Sequence, residues 1–334
     1  DEIKLENADE RNRTAVAILD GSQEQQEIKI TESDTEMVIS SGDFSYTLDK
    51  RTGLFSQLEY AGKKHLNRPM ELNIWRAPTD NDMYIKALWQ RAHYDKAYAR
   101  AYEVTVGEGM EISCHVGIVA ATVQKIIDAR ITWTIDPSGK IKADIHAVKD
   151  EEFPELPRFG VRLLDKTFAG VDYFGMGPQE SYRDKHRGSS HGHYHGDVMD
   201  MHEDYIRPQE NGSHYDCDYV KLEQKADNEQ ENDKTKVDKA ENVVEKAGNA
   251  VVSCMGLAVA SQNTFSFNVS PYTEEQLAAV GHNYELTECG SMVLCIDYAL
   301  NGIGSNSCGP EVADKYKFNE NEFDFSFVLV PYKF

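Results

Sequence analysis

Three stretches of this chain hold residue types that could do chemistry. In Trp75-Arg76-Ala77-Pro78-Thr79-Asp80-Asn81-Asp82, two carboxylates and an amide share one proline-initiated turn. Such a set suits a hard cation or sugar hydroxyls. Asp and Asn also favour turns by bonding their own backbone, and no Gly or distant Glu completes a calcium loop, so a structural turn is the competing expectation. The second stretch, Tyr173–Asp184, contains Pro178-Gln179-Glu180, echoed by Pro208-Gln209-Glu210-Asn211-Gly212. Glycoside hydrolysis uses two carboxylates at a set separation, which makes Glu180 and Glu210 a candidate pair; the alternative is a pair of buried loop anchors satisfied by arginine. The third is His191, His193 and His195, with His186, His202 and His214 nearby. Alternation places the first three imidazoles on one strand face, as a zinc or nickel site requires, and equally as ordinary strand-surface histidines would lie.

Other signatures are missing: no G-x-S-x-G, no G-x-x-x-x-G-K-[ST], no H-E-x-x-H, and no G-x-G-x-x-G after a strand. Gly302-Ile303-Gly304 runs into Ser305-Asn306-Ser307-Cys308-Gly309-Pro310, a tight polar loop. Cys308 has no adjacent histidine or cation to activate it as a nucleophile.

The elements that must position these residues are strands. Phe44-Ser45-Tyr46-Thr47-Leu48 alternates, Lys50–Gly53 turns, and Leu54–Tyr60 resumes, which predicts a hairpin. Similar runs at 112–121, 126–135, 141–148, 159–164, 251–259, 264–269, 292–298 and 323–330 bring the expectation to at least nine strands. Thr273 with Gln276 three residues later predicts a capping box and one short helix. A second, weaker helix is expected between Met83 and Ala97, with Leu88, Trp89 and Ala92 sharing a face. Strands not interleaved with regular helices predict antiparallel sheets and a sandwich.

The chain has 334 residues, with 35 Lys and Arg against 57 Asp and Glu, a net charge of −22. That balance argues against a nucleic-acid partner, which clustered basic residues would serve, and against anionic membranes; a neutral sugar is indifferent to it. No run reaches the roughly 20 apolar residues of a membrane span. The six cysteines show no zinc-site spacing and are expected reduced. Residues 222–249 are dense in charge and lack aromatics, as in an exposed insertion. The first residues carry neither an initiator Met nor a signal peptide, consistent with a piece of something longer.

Taken in order, Arg76-Ala77-Pro78-Thr79-Asp80-Asn81-Asp82, Gly175–Tyr182, Pro208–Gly212, Ser270-Pro271-Tyr272 and Gly302-Ile303-Gly304 resemble the C-terminal, small-chain domain of family-2 β-galactosidases. The resemblance implies an all-β fold, a large antiparallel β-supersandwich similar to galactose mutarotases, with one or two short helices. It covers residues 36–334 apart from the insertion, with 1–35 as a connector or trailing strand of a preceding immunoglobulin-like domain. In that family, two glutamates in a separate (β/α)₈ barrel perform retaining hydrolysis, with magnesium nearby. No Glu here matches their motifs, so the resemblance implies neither catalytic residues nor a metal or cofactor in this chain, and an isolated chain that is inactive. It further implies rim loops near the substrate, with Asp82, Met83 and Tyr84 on one and Asn306, Ser307 and Cys308 on the other. Cys308 stands where the best-known branch presents a Trp to the aglycone, which puts lactose preference in question. The implied partners are the remaining domains of a parent enzyme, a β-galactoside and a possible homo-oligomer. Reduced cysteines point to the cytoplasm, with the periplasm as the alternative. Two other readings stand beside it: a free-standing sugar-binding sandwich, and a mutarotase-like enzyme in which Arg76, Glu180 and His214 meet on a concave face.

Overall fold

The computed structural model describes residues 15, 17–18, 27–107, 109, 111–224 and 255–333. Most of the expected 222–249 insertion lies outside the described residues. Five strands in chain order form the first sheet: β1 (Lys29–Glu32), β2 (Glu36–Ser41), β3 (Phe44–Asp49), β4 (Leu54–Tyr60) and β5 (Lys63–Lys64). The expected hairpin is β3–β4, with Tyr46 opposite Leu58. Residues 29–32, within the span expected as a connector, are the outer strand of this sheet.

The second sheet has twelve strands: β6 (Arg68–Asn73), β7 (Tyr98–Val106), β8 (Glu111–Val119), β9 (Ile127–Ile135), β10 (Ile141–Lys149), β11 (Arg158–Asp165), β12 (Phe168–Gly177), β13 (Ser190–Asp197), β14 (Ser213–Gln224), β15 (Met255–Ser270), β16 (Met292–Leu300) and β17 (Glu322–Lys333). Every named strand pair is antiparallel. The fold is therefore all-β and antiparallel, as expected. The run read as a strand at 264–269 and the described part of the run at 251–259, residues 255–259, belong to one strand, β15. Its first half pairs with β17 and its second with β16, so it joins two arms of the sheet.

Burial follows position in the sheet. In β9, even-numbered residues are partly or fully exposed while Ile127, Ala129, Ile131, Trp133 and Ile135 are buried, the one-sided pattern of a strand with a single dry face. Strand β16 is buried almost throughout because both of its faces are covered. The two sheets lock through aromatics: Phe55 meets Trp133 edge-on at 5.0 Å, the Trp133 indole N–H donates to the Gly53 carbonyl at 2.9 Å, and the Tyr46 hydroxyl donates to the Gly139 carbonyl at 2.6 Å. Burying such rings contributes about 2 kcal/mol or more each.

Two α-helices are described over their whole length, α1 (Lys86–Arg91) and α2 (Glu274–Ala279); Ala15, Ala17 and Ile18 are helical as well. Helix α2 carries the expected capping box: Thr273 Oγ1 accepts from Gln276 N–H and Gln276 Oε1 accepts from Thr273 N–H. Helix α1 is shorter than expected, and Leu88 does not share the dry face. Trp89 is sealed and donates from its indole to the Glu155 carbonyl at 2.9 Å, whereas Leu88 is 44% exposed. No described helix is long and apolar enough to cross a membrane.

Candidate functional site

The segment leaving β6 is organised around Arg76, which is fully buried. Its guanidinium donates to both Asp82 oxygens at 2.7 and 3.2 Å, to the Asn301 carbonyl at 2.6 Å and to the Gly302 carbonyl at 3.1 Å, and lies 5.3 Å over the Trp89 ring. Thr79 adds its N–H and hydroxyl to Asp82 Oδ2. Asp82 is thus 3% exposed and its acceptors are filled by its own loop, so this side chain anchors the turn. Asn81 reaches the other way. Its amide donates to the Gly304 carbonyl at 3.0 Å and its Oδ1 accepts from the Ser307 hydroxyl at 2.7 Å and the Ser307 N–H at 3.2 Å.

Two loops more than 200 residues apart in sequence are thereby tied into one rim. Between them lies a cleft of about 220 Å³ with Asn81, Tyr84, Leu88, Asn306, Glu311 and Lys317 on its walls. Met83 and Tyr84 are 44% and 64% exposed, and Cys308 is exposed beside Ser307. Asp184 braces the base of the second loop by accepting from the Ile303 and Gly304 N–H groups at 2.9 and 2.7 Å.

The two Pro-Gln-Glu segments converge on the same end of the sheet. Glu180 accepts from Gly212 N–H at 2.8 Å and from the hydroxyls of Tyr182 and Tyr205, so tyrosines and backbone, not arginine, satisfy it. Glu210 donates its N–H to the Ala77 carbonyl at 3.0 Å, and Gln209 accepts from Asp80 N–H at 3.1 Å, which fastens the second segment against the first turn. Gly212 sits at φ +69°, and a Cβ there would lie 2.1 Å from the Met201 carbonyl oxygen. Only glycine fits.

Beneath these loops lies a charge network of which the sequence pointed only to Glu210, as a buried anchor beside an arginine. Arg158 is fully buried and donates to Asp297 at 2.6 and 3.1 Å, to Glu274 at 3.0 Å and to Glu210 at 3.4 Å. Arg162 spans Glu274 at 2.6 Å, Glu275 at 2.9 Å and Glu71 at 2.6 Å. Gly160 lets β11 approach Asp297, since a Cβ would meet Asp297 Oδ1 at 2.4 Å. Burial pushes the Glu210 carboxyl up to about 7 despite Arg158, and Asp297 up to about 6 in the same way. Burial also opposes charge on Glu274, but Arg162 and Arg158 outweigh it and hold that carboxyl at about 2. Glu210 Oε1 is buried with no hydrogen-bond partner among the described residues. The available signal was a lone Asp inside the apolar run Met292–Leu300, together with a Glu in the first turn of α2.

His214 is buried against Phe267 and Tyr173, with Nδ1 3.1 Å from the Tyr173 hydroxyl and 3.3 Å from the Met176 carbonyl. Burial lowers its pKa to about 4, so it is neutral at pH 7. Arg76, Glu180 and His214 each bond to different groups and make no hydrogen bond or ion pair with one another. The alternating histidines do lie on β13. His191 Nε2 bonds to the Asp216 carbonyl at 2.9 Å and His193 Nε2 to Asp172 at 2.6 Å, and the described residues contain no group of three or more His, Cys, Asp or Glu able to hold a metal ion. The five described cysteines are free thiols.

Comparison with known proteins fits this geometry. Residues 40–329 match the family model described as β-galactosidase small chain. The chain is 42% identical over 311 residues to a β-galactosidase of Actinobacillus pleuropneumoniae and 32% identical over 308 residues to one of Staphylococcus xylosus. These alignments cover 92% and 91% of this chain but 28% of each relative. Among solved structures, a galactose 1-epimerase from Lactobacillus acidophilus NCFM aligns over 93% of this chain and 99% of its own at 8% identity and a TM-score of 0.39, a likeness on which nothing here rests. The chain spans little more than a quarter of the curated relatives it matches, and it belongs to the β-galactosidase small-chain family.

Proposed function

We propose that this chain is the non-catalytic C-terminal part of a retaining β-galactosidase, shaping the rim over which the substrate's leaving group passes. The observation that carries the reading is the Asn81 bridge. One side chain holds the 80–84 turn and the 304–308 loop together, and Tyr84 and Asn306 line the cleft between them. Met83, Ser307 and Cys308 belong to the same rim. Asp82 acts as its internal anchor through Arg76. The hydrolytic glutamates and any magnesium belong to the remainder of the parent polypeptide, so the isolated chain does not hydrolyse galactosides. Residues 29–334 act as one sandwich body, with the residues before 29 as the link from a preceding domain. The parent is a cytoplasmic enzyme that assembles as a homo-oligomer.

The test uses the full-length parent enzyme carrying Asn81→Ala. Freeing both loops should raise KM for a disaccharide β-galactoside several-fold while leaving kcat for a small aryl β-galactoside near the parent value, because the loss falls on leaving-group contacts and not on the reacting centre. Unchanged KM for the disaccharide would sink the rim reading.

A further inference from the structure

The large sheet almost closes on itself. One path through it runs β6–β11–β16–β15–β17–β10–β9–β8–β7, so β6 and β7 are its two ends. Each has one strand partner among the described residues: β6 pairs only with β11 and β7 only with β8. Between these ends lies a cavity of about 310 Å³, the apolar gap where the sheet fails to meet. Consecutive residues of each end line it, 68–75 from β6 and the turn after it, and 97–99 at the start of β7, as expected where strand edges rather than single side chains form the walls. The Arg51 carbonyl takes the Ala101 N–H at 2.7 Å and closes the gap at that point. Leu54, Met70, Leu72, Trp75 and Tyr94 are buried around it, and Tyr98 stands at its mouth, 55% exposed.

Its charged groups are Glu71, Asp95 and Glu275 with Arg68 and Arg162. Asp95 lines the cavity, and its Oδ1 is buried with no hydrogen-bond partner among the described residues. Glu71 and Glu275 stand on the wall, and Arg162 between them is already shared with Glu274. Unpaired strand edges are templates for another strand, and a buried carboxylate oxygen without a donor is costly. We infer that this gap receives a short extended segment of the parent polypeptide lying outside this chain, one that presents apolar side chains to the Leu54–Trp75 wall and a Lys or Arg to Asp95. The inference rests on the proposed reading in that it needs a longer parent. The chain's 28% share of its relatives supplies the source of such a segment. Backbone pairing to the open part of one edge provides the affinity, and the unpartnered Asp95 oxygen selects the basic residue. The size of the cavity suits one short stretch and not a second copy's folded edge.

The experiment uses the full-length parent protein with the photoreactive residue p-benzoylphenylalanine in place of Tyr98. Irradiation followed by peptide mapping should return an intramolecular cross-link to a peptide outside these 334 residues. Cross-links confined to this chain, links between copies in a mixed-isotope sample, or no cross-link at all would overturn the proposal. A second variant, Ala97→Trp, fills the gap. If the gap is occupied, amide exchange across residues 68–73 should accelerate about tenfold or more as the segment is expelled, and unchanged exchange would count against occupancy. Neither readout depends on hydrolysis, so a parent without β-galactosidase activity would defeat the proposed function while leaving this result to stand or fall by itself.

Discussion

Arg158 and Arg162 face three sealed carboxylates, Glu210, Glu274 and Asp297, and the imbalance falls on Glu210. Its folded pKa of about 7 lies above the ordinary 4.5, so the folded protein holds this proton more tightly than the unfolded chain does. Its contribution to stability is greatest at low pH and declines as pH rises from about 4.5 to about 7. Asp297, raised from 3.8 to about 6, acts in the same direction, while Glu274, held at about 2, loses its contribution only as pH falls below 4.5 toward 2. We therefore expect Glu210→Gln to lose less stability than the parent chain between pH 5 and pH 7.5, by on the order of 1–3 kcal/mol, in denaturation measured at several pH values. Parallel curves for the two proteins would refute the assignment. At this scale the sequence showed the turn that holds Arg76 and Asp82, six residues apart, but not that the two pair, since it offered Asp82 to the substrate and Arg76 to a concave face. Arg158 and Asp297 are 139 residues apart, and no local pattern joins them until β11 pairs with β16.

The elements show the same division between local and distant causes. The capping box of α2 and the β3–β4 hairpin depend on residues within a few positions of each other, and both were readable from spacing alone. The continuity of β15 was not, because Ser261-Gln262-Asn263 interrupts the apolar alternation, while in the sheet the Ser261 hydroxyl donates to the Ser326 carbonyl at 2.6 Å and the strand runs on. Alternation did place His191 and His193 on one face, but their cross-strand partners, among them Asp172, are set by register. Gly212 is where one element depends on a single residue. A Gly212→Ala substitution should destabilise by about 1–3 kcal/mol, because it imposes a left-handed backbone on a β-carbon that also meets the Met201 carbonyl. Calorimetric Tm measures this; a Tm equal to that of the parent chain would show that the 208–212 loop relaxes freely.

For the whole molecule, five short motifs scattered between residues 76 and 304 gain meaning from where the sheet delivers them. Four of them meet at one end, where Arg76, Glu180 and Glu210 each bind backbone or side chains of a neighbouring segment, and where the Asn81 bridge shapes the rim. The family was legible from the order of those motifs. The charge network beneath them and the gap between β6 and β7 were not, since both are products of sheet closure. Under the proposed function this rim serves chemistry located elsewhere in a longer enzyme. The most direct test is hydrolysis of a chromogenic β-galactoside by the purified 334-residue chain, shown to be folded by its β-sheet circular dichroism, beside the full-length parent. Turnover by the parent and none above the blank by the chain is the expected result; turnover by the folded chain at the rate of an ordinary hydrolase would overturn the proposed function.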